Sequence, residues 1–369
     1  MGEKPKILVI TELRGNQMHT MRPEAELLIS MVKHGADVTL MTNGDSIYRP
    51  RFEENGVHII PFYPTSKFKK TEIRFVRDEL KKGGFDILYL VTDNRAITTG
   101  ILAAKGVPVK VVVYRGYSGN LEWYNPISYT KHLNSRVDMI ICNGQAVADY
   151  FSRQLFFDKS KLFVFVKGHD TEWYRDVVPA DLSEYSSTDN TFHLVWVGHN
   201  RQRMKGLASL LKGMTLIGEE RDVQLHFIGS NTDTRENMAI IRDNGLKERV
   251  HLHGPMNDPR SIVAACDAFI LPSVKGEACT RSVQEAMCMA VTPVISDIPG
   301  NEELIQAGIS GLRFKAGDPT SIADSIIKIY DDREMNRILG EAAFERASTI
   351  LSHEKSVEGI LGCFRELID

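Results

Sequence analysis

The chain has 369 residues with a formal net charge of −3, and 43% of its residues are apolar, 25% charged and 8% aromatic. At about 100 to 200 residues per domain, this length predicts two domains, each large enough to bury a core. The composition excludes a disordered chain, a coiled coil, a collagen and a small disulfide scaffold.

Short β-branched runs alternate with longer amphipathic stretches through the first half, which is the pattern of a parallel sheet with crossover helices. Strands are predicted at 6–11, 37–42, 57–62, 87–92, 109–114, 139–143 and 162–166. Helices are predicted at 23–34, 69–82, 96–105 and 144–155. These elements predict one doubly wound α/β domain over residues 1–170.

The segment 179–191 is polar and nearly free of apolar residues, so we expect residues 171–191 to form a hinge or linker. The alternation then restarts, with strands predicted at 192–197, 223–228, 250–253, 268–271 and 292–296 and helices at 206–217, 234–244, 258–266 and 281–289. From residue 319 onward only helices are predicted, including 352–368. Residues 192–369 are thus expected to form a second Rossmann-like domain, and two such domains normally hold a ligand between the carboxyl ends of their sheets.

Targeting and charge signals are modest. The five cysteines include no CxxC pair, so neither a disulfide framework nor a zinc site is indicated. The apolar stretch 7–10 is too short for a signal peptide or a membrane span, and we expect a cytoplasmic protein. Residues 1–168 carry 24 Lys and Arg against 17 Asp and Glu, which favours an anionic partner such as a lipid surface, a phosphorylated acceptor or an acidic glycan. A solvated basic surface with no partner is the alternative.

The stretch 65–82 is a basic amphipathic helix candidate that carries seven cations together with Phe68 and Phe75. Such a helix can rest on the anionic inner face of a membrane, so a peripheral membrane contact stays open. An ordinary packed helix with a solvated basic face is the other interpretation.

The densest chemistry lies in residues 269–314. A strand ends at Pro272 and Ser273, a loop carries Glu277, and a helix opens near Arg281 and carries Glu285. Backbone N–H groups at a helix start suit a diphosphate, and Glu285, about one turn into the helix, suits the hydroxyls of a ribose. Two acids at this spacing are by themselves more typical of a solvated helix face.

The order Glu277, seven residues, Glu285, Ala286 and Met287 resembles the retaining glycosyltransferases of family 4. That resemblance implies the GT-B fold, in which two Rossmann-like domains face a central cleft and the C-terminal helix returns toward the first domain. It continues through Pro-Val-Ile at 293–295 and through Asp297, Gly300, Glu303, Gly308 and Gly311.

The resemblance also implies roles for individual residues. Lys205, in VWVGHNRQRMKG, would hold the donor diphosphate, where an ammonium stabilises the charge of the leaving group. An exposed lysine at a helix start is the alternative. The family usually has an arginine after the first glycine, where this chain has His199, so Arg201 or Arg203 is expected to replace it. The implied donor-binding set is Gly15, Gly198, His199, Arg201, Lys205, Gly254, Pro255, Met256, Glu277, Ala278, Cys279, Thr280, Arg281, Ser282 and Glu285, and the implied catalytic residues are Glu277, Lys205 and Arg115.

The first half resembles the family less closely. Arg14-Gly15-Asn16 stands where the family often has a Gly-Gly loop. Arg115 stands where a histidine usually lies near the reacting sugar, and a permanent cation there suits an anionic sugar or a phosphate. A structural salt bridge is the alternative role for Arg115. Lys167-Gly168-His169-Asp170 resembles the Asn-Gly-Val-Asp hinge of the family.

The resemblance implies a metal-independent, retaining hexosyltransferase that uses a UDP- or GDP-linked donor and a carbohydrate or lipid-linked acceptor, in glycan, polysaccharide or glycolipid synthesis. No cofactor is expected besides the nucleotide-sugar substrate. The sequence carries no P-loop, HExxH, GxSxG or GxGxxG after a strand, and no nucleic-acid-binding module. Two alternatives stay open, namely a nucleotide-sugar-binding protein without transferase activity and a GT-B epimerase that acts on the nucleotide sugar.

Overall fold

The computed structural model describes residues 4–13, 18–91, 93–154, 156–188, 190–200 and 204–369. The chain divides into two compact units. Unit 1 consists of residues 1–167 and 353–369, and unit 2 consists of residues 168–352.

Unit 1 is built on a parallel sheet with the strand order β3-β2-β1-β4-β5-β6-β7. Its strands are β1 Lys6–Ile10, β2 Asp37–Thr42, β3 His58–Pro61, β4 Ile87–Leu90, β5 Lys110–Arg115, β6 Met139–Cys142 and β7 Leu162–Val164. The helices that accompany them are α1 Met18–Lys33, α2 Arg49–Glu54, α3 Lys70–Gly83, α4 Asn94–Ala103 and α5 Gln145–Ser152. The central strands are apolar on both faces, as expected for a parallel sheet that helices cover on both sides.

Unit 2 has a second parallel sheet with the order β10-β9-β8-β11-β12-β13. Its strands are β8 Phe192–Val197, β9 Val223–Ile228, β10 Val250–Gly254, β11 Ala268–Leu271, β12 Thr292–Ser296 and β13 Leu312–Phe314. Its helices are α6 Leu207–Met214, α7 Arg235–Asp243, α8 Arg260–Ala265, α9 Arg281–Met287, α10 Pro319–Asp331 and α11 Arg333–Thr349. The predicted pair of doubly wound α/β sheets is confirmed. The short elements β13 and α2 were not predicted, because three and six residues are too few to show a period.

The C-terminal helix α12, His353–Ile368, belongs to unit 1. Its apolar face joins the core of that unit through Val357, Ile360 and Phe364, and the Phe364 ring lies 5.5 Å from that of Tyr89. The return of the last helix to the first unit is therefore confirmed. The observed unit 2 ends at residue 352, whereas the predicted second domain extends to residue 369.

The expected hinge segment 171–191 lies within unit 2. Tyr185 packs its ring 4.5 Å from that of His251 and 5.2 Å from that of His226, and the Ser186 hydroxyl contacts His193 Nε2 at 3.1 Å. The segment packs against a polar face of the sheet, and its own residues are polar. A polar composition is also typical of a linker, so composition alone did not distinguish the two.

Helix α3 contains most of the basic stretch 65–82, for which a peripheral membrane contact was one of the two interpretations. Val76 and Leu80 are buried in unit 1, and the Phe75 ring packs 4.5 Å from that of Phe62. Phe68 is exposed, so part of the apolar surface stays open. Within the residues described, no helix combines the length and the apolar character needed to cross a bilayer.

A chain of hydrogen-bonded imidazoles crosses one face of the unit 2 sheet. His193 Nδ1 lies 3.0 Å from His226 Nε2, and His226 Nδ1 lies 2.9 Å from His253 Nε2. His251 contacts Gln224 Oε1 through Nε2 at 2.8 Å. Each neutral imidazole has one donor and one acceptor, so a proton added to this chain leaves two donors facing each other.

Burial keeps these histidines neutral. It lowers the pKa of His226 to about 2 and that of His251 to about 4, and the neighbouring imidazoles add to both effects. Burial also lowers the pKa of His193 and His253, although nearby carboxylates oppose it. The charged groups that act on the cluster are Glu184, Glu248, Asp222, Asp267 and Arg333.

We expect the free energy of unfolding of unit 2 to fall as the pH drops from 7 to 5. Unfolded imidazoles, with an ordinary pKa near 6.5, then take up protons that folded His226 and His251 do not bind. Above pH 6.5 the free energy of unfolding is not reduced by these groups. As the pH falls from 6.5 toward the folded pKa values, each group lowers that free energy by up to about 1.4 kcal/mol per pH unit. Hydrogen exchange of the β8, β9 and β10 amides, corrected for intrinsic rates, measures this loss.

Replacing His226 with Gln removes one titrating group and is expected to flatten the profile. His34 lies in unit 1, and its hydrogen bond to the Ser30 carbonyl raises its pKa, so His34→Gln is the matched control and leaves these amides unaffected. Protection that stays constant from pH 7 to 5 contradicts the prediction.

Candidate functional site

The unit 2 sheet changes direction between β8 and β11. After β8 the chain adds β9 and β10 on one side, and β11 begins the other side. In open α/β sheets, such a switch point leaves a crevice at the carboxyl ends of the two central strands, where ligands bind. The loops that follow β8 and β11 carry most of the site residues predicted for the second half.

These two loops are joined through their main chains. The Val274 N–H donates to the Met204 carbonyl at 2.7 Å. Gly206 has φ +66°, and a Cβ there would lie 1.8 Å from the Pro272 carbonyl oxygen. Only glycine fits this contact, because any side chain would push the loops apart. The close approach sets the position of Lys205, the residue before Gly206.

Lys205 forms an ion pair with Glu277, with 2.5 Å between Nζ and Oε1. Their side chains are 17% and 9% exposed, so Lys205 is not an exposed lysine at a helix start. The Ser273 hydroxyl donates to the same carboxylate oxygen at 2.6 Å, and the Thr280 hydroxyl donates to Oε2 at 2.9 Å. Three donors thus fix the Glu277 carboxylate, as a buried charge requires.

The loop after Glu277 has little freedom. A Cβ on Gly300 would lie 1.9 Å from the Glu277 carbonyl oxygen, and the Cys279 N–H donates to the Gly300 carbonyl at 3.0 Å. Cys279 takes a left-handed backbone with φ +44°, and its thiol lies 3.2 Å from Glu303 Oε2. The motif residues Gly300 and Glu303 therefore support the Glu277 loop.

Helix α9 begins directly after this loop. Thr280 occupies its N-cap position but gives its hydroxyl to Glu277, and no described side chain caps the helix. The first N–H groups of a helix have no carbonyl partner within the helix, and the helix dipole favours an anion beside them. One turn after the start of α9, the Glu285 side chain is largely buried, and its Oε1 lies 3.6 Å from Arg281 Nε.

The other edge of the crevice is made by the ends of β8, β9 and β10. A Cβ on Gly229, which has φ +139°, would lie 1.6 Å from the Gly198 carbonyl oxygen. The Gly229 N–H donates to the Gly254 carbonyl at 2.8 Å. Pro255 and Met256, which follow, are exposed. The structure thus places Gly198 and Gly254 on one edge of the crevice.

A cavity of about 360 Å³ lies beside the start of helix α6. Gly206 is the N-cap of this helix and offers no side-chain cap. The cavity is lined by Asn200, Gly206, Leu207, Ala208, Ser209, Thr234, Glu236, Asn237 and Val274. His199 is exposed and hydrogen-bonds to Ser230 Oγ at 2.7 Å, and it is absent from this lining.

Some predicted residues lie elsewhere. Arg115 belongs to unit 1, where it ends β5 and is buried. Its guanidinium forms no ion pair with a carboxylate among the described residues, so the salt-bridge alternative is not found there. Gly15, Arg201 and Arg203 fall outside the described residues.

Sequence reasoning missed two residues that shape the site, Ser273 and Gly229. Ser273 holds the Glu277 carboxylate, and its position directly after a buried strand at the switch point is the signal that points to it. Gly229 allows the ends of β8 and β9 to meet. Its identity carries no signal beyond being a glycine after a strand.

Comparison with known proteins identifies the family. A profile described as "Glycosyl transferases group 1" matches residues 191–332, and one described as "Glycosyltransferase Family 4" matches residues 25–173. The chain is a glycosyltransferase of the family 4, GT-B type.

Two relatives and one solved structure show the extent of the similarity. The chain is 23% identical over 345 residues to an uncharacterized glycosyltransferase of Methanocaldococcus jannaschii, covering 89% of this chain and 86% of the relative. It is 25% identical over 272 residues to the UDP-Gal:alpha-D-GlcNAc-diphosphoundecaprenol alpha-1,3-galactosyltransferase of Escherichia coli, covering 70% and 69%. Its fold matches that of HepE from Anabaena, solved in complex with UDP-glucose, with a TM-score of 0.76, 18% identity and coverage of 98% and 99%.

We expect Gly300→Ala to displace the Glu277 loop of this glycosyltransferase. The new Cβ would overlap the Glu277 carbonyl, and overpacking of this kind costs about 1 to 3 kcal/mol of stability. Thermal unfolding measures the loss. Gly362→Ala is the matched control, because nothing lies within 4 Å of a Cβ at that helical position. Equal melting temperatures for the two variants would contradict the assigned role of Gly300.

Proposed function

We propose that this glycosyltransferase moves a hexose from a nucleoside-diphosphate donor, held by unit 2, to a hydroxyl of a carbohydrate or lipid-linked acceptor. The observation that carries the proposal is the buried Lys205–Glu277 pair at the switch point, next to the uncapped starts of α6 and α9. This arrangement places a cation, a fixed carboxylate and two helix starts at one crevice. The UDP-glucose complex of HepE and the UDP-Gal donor of the Escherichia coli relative agree with such a donor.

In this proposal Lys205 binds the donor diphosphate together with the amides near Thr280 and Ser282. Its ammonium has three N–H donors, so it can keep the bond to Glu277 while it donates to a phosphate oxygen. Charge builds up on the diphosphate as it leaves, and a cation fixed in place beforehand stabilises that charge without rearrangement. The ion pair with Glu277 holds Lys205 ready before the donor binds.

The remaining groups bind the nucleoside and the sugar. Glu285 accepts the ribose hydroxyls, and the glycine edge at Gly254, with Pro255 and Met256, lies beside the base. Glu277, with the backbone of 278–280, accepts a hydroxyl of the sugar through the lone pairs that Ser273 and Thr280 leave open. Retention of the anomeric configuration and independence of metal ions rest on the resemblance of the Glu277 to Glu285 motif.

A panel of nucleotides and nucleotide sugars tests the donor. We expect one nucleotide sugar to raise the melting temperature of the chain, because a ligand that binds only the folded state stabilises it by mass action. Glu285→Ala is expected to abolish most of this shift by removing the ribose contact. Exposed Glu302→Ala, outside the proposed contacts, is the control and keeps the shift. No shift with any member of the panel would overturn the proposed donor site.

Lys205→Met is expected to weaken binding of the nucleoside diphosphate by about tenfold to a hundredfold, the worth of one charge-assisted hydrogen bond. Binding of the parent nucleoside is expected to change little, because it lacks the phosphates. Titration calorimetry with both ligands separates the two effects. Lys275→Met is the matched control, since Lys275 is exposed on the loop after β11, beside Glu277 in sequence but outside the ion pair. Equal losses for diphosphate and nucleoside would contradict the role of Lys205.

A further inference from the structure

Arg115 is a buried cation without a compensating acid in the described part of unit 1. Its side chain is held by carbonyl groups, since Nε donates to Tyr117 O at 2.9 Å and Nη2 donates to Gly119 O. Its guanidinium also stacks on the Tyr117 ring, 3.7 Å from the centroid. The residue is 3% exposed. Carbonyls and a ring fix the guanidinium in place but leave its positive charge unneutralised.

Lys131 is a second buried cation in the same unit. It follows the turn Pro126–Thr130 and is 9% exposed. Its ammonium forms no hydrogen bond or ion pair with any residue in the described ranges. Burial lowers its pKa, and the charges of Arg115 and Lys67 lower it further, so the charged groups that act most strongly on Lys131 are both cations.

Such an arrangement costs stability unless something else compensates it. The stem of Lys131 is buried, whereas its unpartnered ammonium stays accessible to solvent and lies close enough to Arg115 for the two charges to repel each other. Two other largely buried lysines have carboxylate partners: Lys205 pairs with Glu277, and Lys167 pairs with Glu24. The cluster of Arg115, Lys131 and Lys67 therefore differs in kind from the ion pairs of the chain.

The cluster also lies where ligands bind in this class of fold. Arg115 is the last residue of β5, and Lys67 and Lys131 lie on the loops that follow β3 and β5. All the strands are parallel, so these loops emerge at the carboxyl edge of the sheet. Unit 1 as a whole carries 26 Lys and Arg against 21 Asp and Glu, which attracts an anion toward this edge.

We propose that Arg115, Lys131 and Lys67 form an anion site in unit 1 that holds a phosphoryl or carboxylate group of the acceptor. Arg115 supplies the guanidinium N–H groups that its carbonyl partners do not occupy, and Lys131 supplies its three ammonium donors. The bound oxyanion provides the negative charge that the described residues lack. Its assignment to the acceptor rests on the proposed function, whereas the binding of an anion does not.

Lys131→Met in the full chain tests the site. Lys131→Met is made in a background variant that already carries Lys205→Met. That background lacks the main cation of the proposed donor site, so an effect of anions on its melting temperature comes from binding to unit 1. Melting temperature is measured in chloride, in inorganic phosphate and in malonate at equal ionic strength. We expect phosphate or malonate to raise the melting temperature of the background variant. Adding Lys131→Met is expected to weaken the binding of that anion by about tenfold or more. Phosphate and malonate distinguish a phosphoryl from a carboxylate ligand.

The same variant separates a binding role from a structural one. Without an anion, Lys131→Met is expected to melt at a higher temperature, because it removes the repulsion between Lys131 and Arg115. Lys161→Met is the matched control: its ammonium donates to Val137 O at 2.6 Å, so its loss lowers the melting temperature and leaves the anion response intact. A lower melting temperature for Lys131→Met, with an unchanged response to both anions, would overturn the site.

Failure of this site and failure of the proposed function give different results. Nucleotide sugars bind through Lys205 and Glu285, so their effect on the otherwise unaltered chain persists in Lys131→Met if the donor site is correct. An anion response that depends on Lys131, without any nucleotide-sugar binding, would refute the proposed function and keep the anion site. Nucleotide-sugar binding without any anion response in the background variant would refute the anion site and keep the proposed function.

Discussion

The site in unit 2 depends on how closely two loops approach each other at the switch point of a parallel sheet. The loops after β8 and β11 come from neighbouring strands, and a glycine without a side chain lets their main chains touch at Pro272. That contact brings a lysine from one loop to a glutamate from the other, about seventy residues apart in sequence. The buried ion pair in turn fixes the start of α9, because Thr280 serves the carboxylate rather than the helix. The approach of the two loops, the Lys205–Glu277 ion pair and the start of α9 without a side-chain cap thus all depend on the close contact at Gly206.

The sequence predicted the sheet elements well because parallel strands buried on both faces appear as short β-branched runs. It predicted Glu277 and Lys205 from the family resemblance, and the structure brings them together. It did not predict that they bind each other, since a pair across two loops leaves no local pattern. Segment 171–191 was expected to be a hinge because polar composition does not distinguish solvent from a polar sheet face. Tyr185 and Ser186 lie against imidazoles there, and histidines at alternate strand positions were the available signal.

The two candidate sites treat their buried cations in opposite ways. In unit 2, Lys205 is compensated by a carboxylate that is itself held by two hydroxyls. In unit 1, Arg115 and Lys131 are surrounded by neutral groups and by each other. An ion pair formed within the chain keeps a group in position at little cost in stability, whereas an uncompensated cluster trades stability for affinity toward a charge from outside. The first arrangement suits a residue that must be ready in advance, and the second suits recognition.

The membership of α12 in unit 1 has a consequence for the order in which the chain folds as it is synthesised. Unit 2 is one continuous stretch, and all of it is synthesised before α12. Unit 1 begins first but lacks the apolar face formed by Val357, Ile360 and Phe364 until the helix follows. During that interval the sheet side that receives α12 is uncovered, and exposed apolar surface of this kind is a site for aggregation or chaperone binding. The unit that begins first is therefore the last to receive all of its elements.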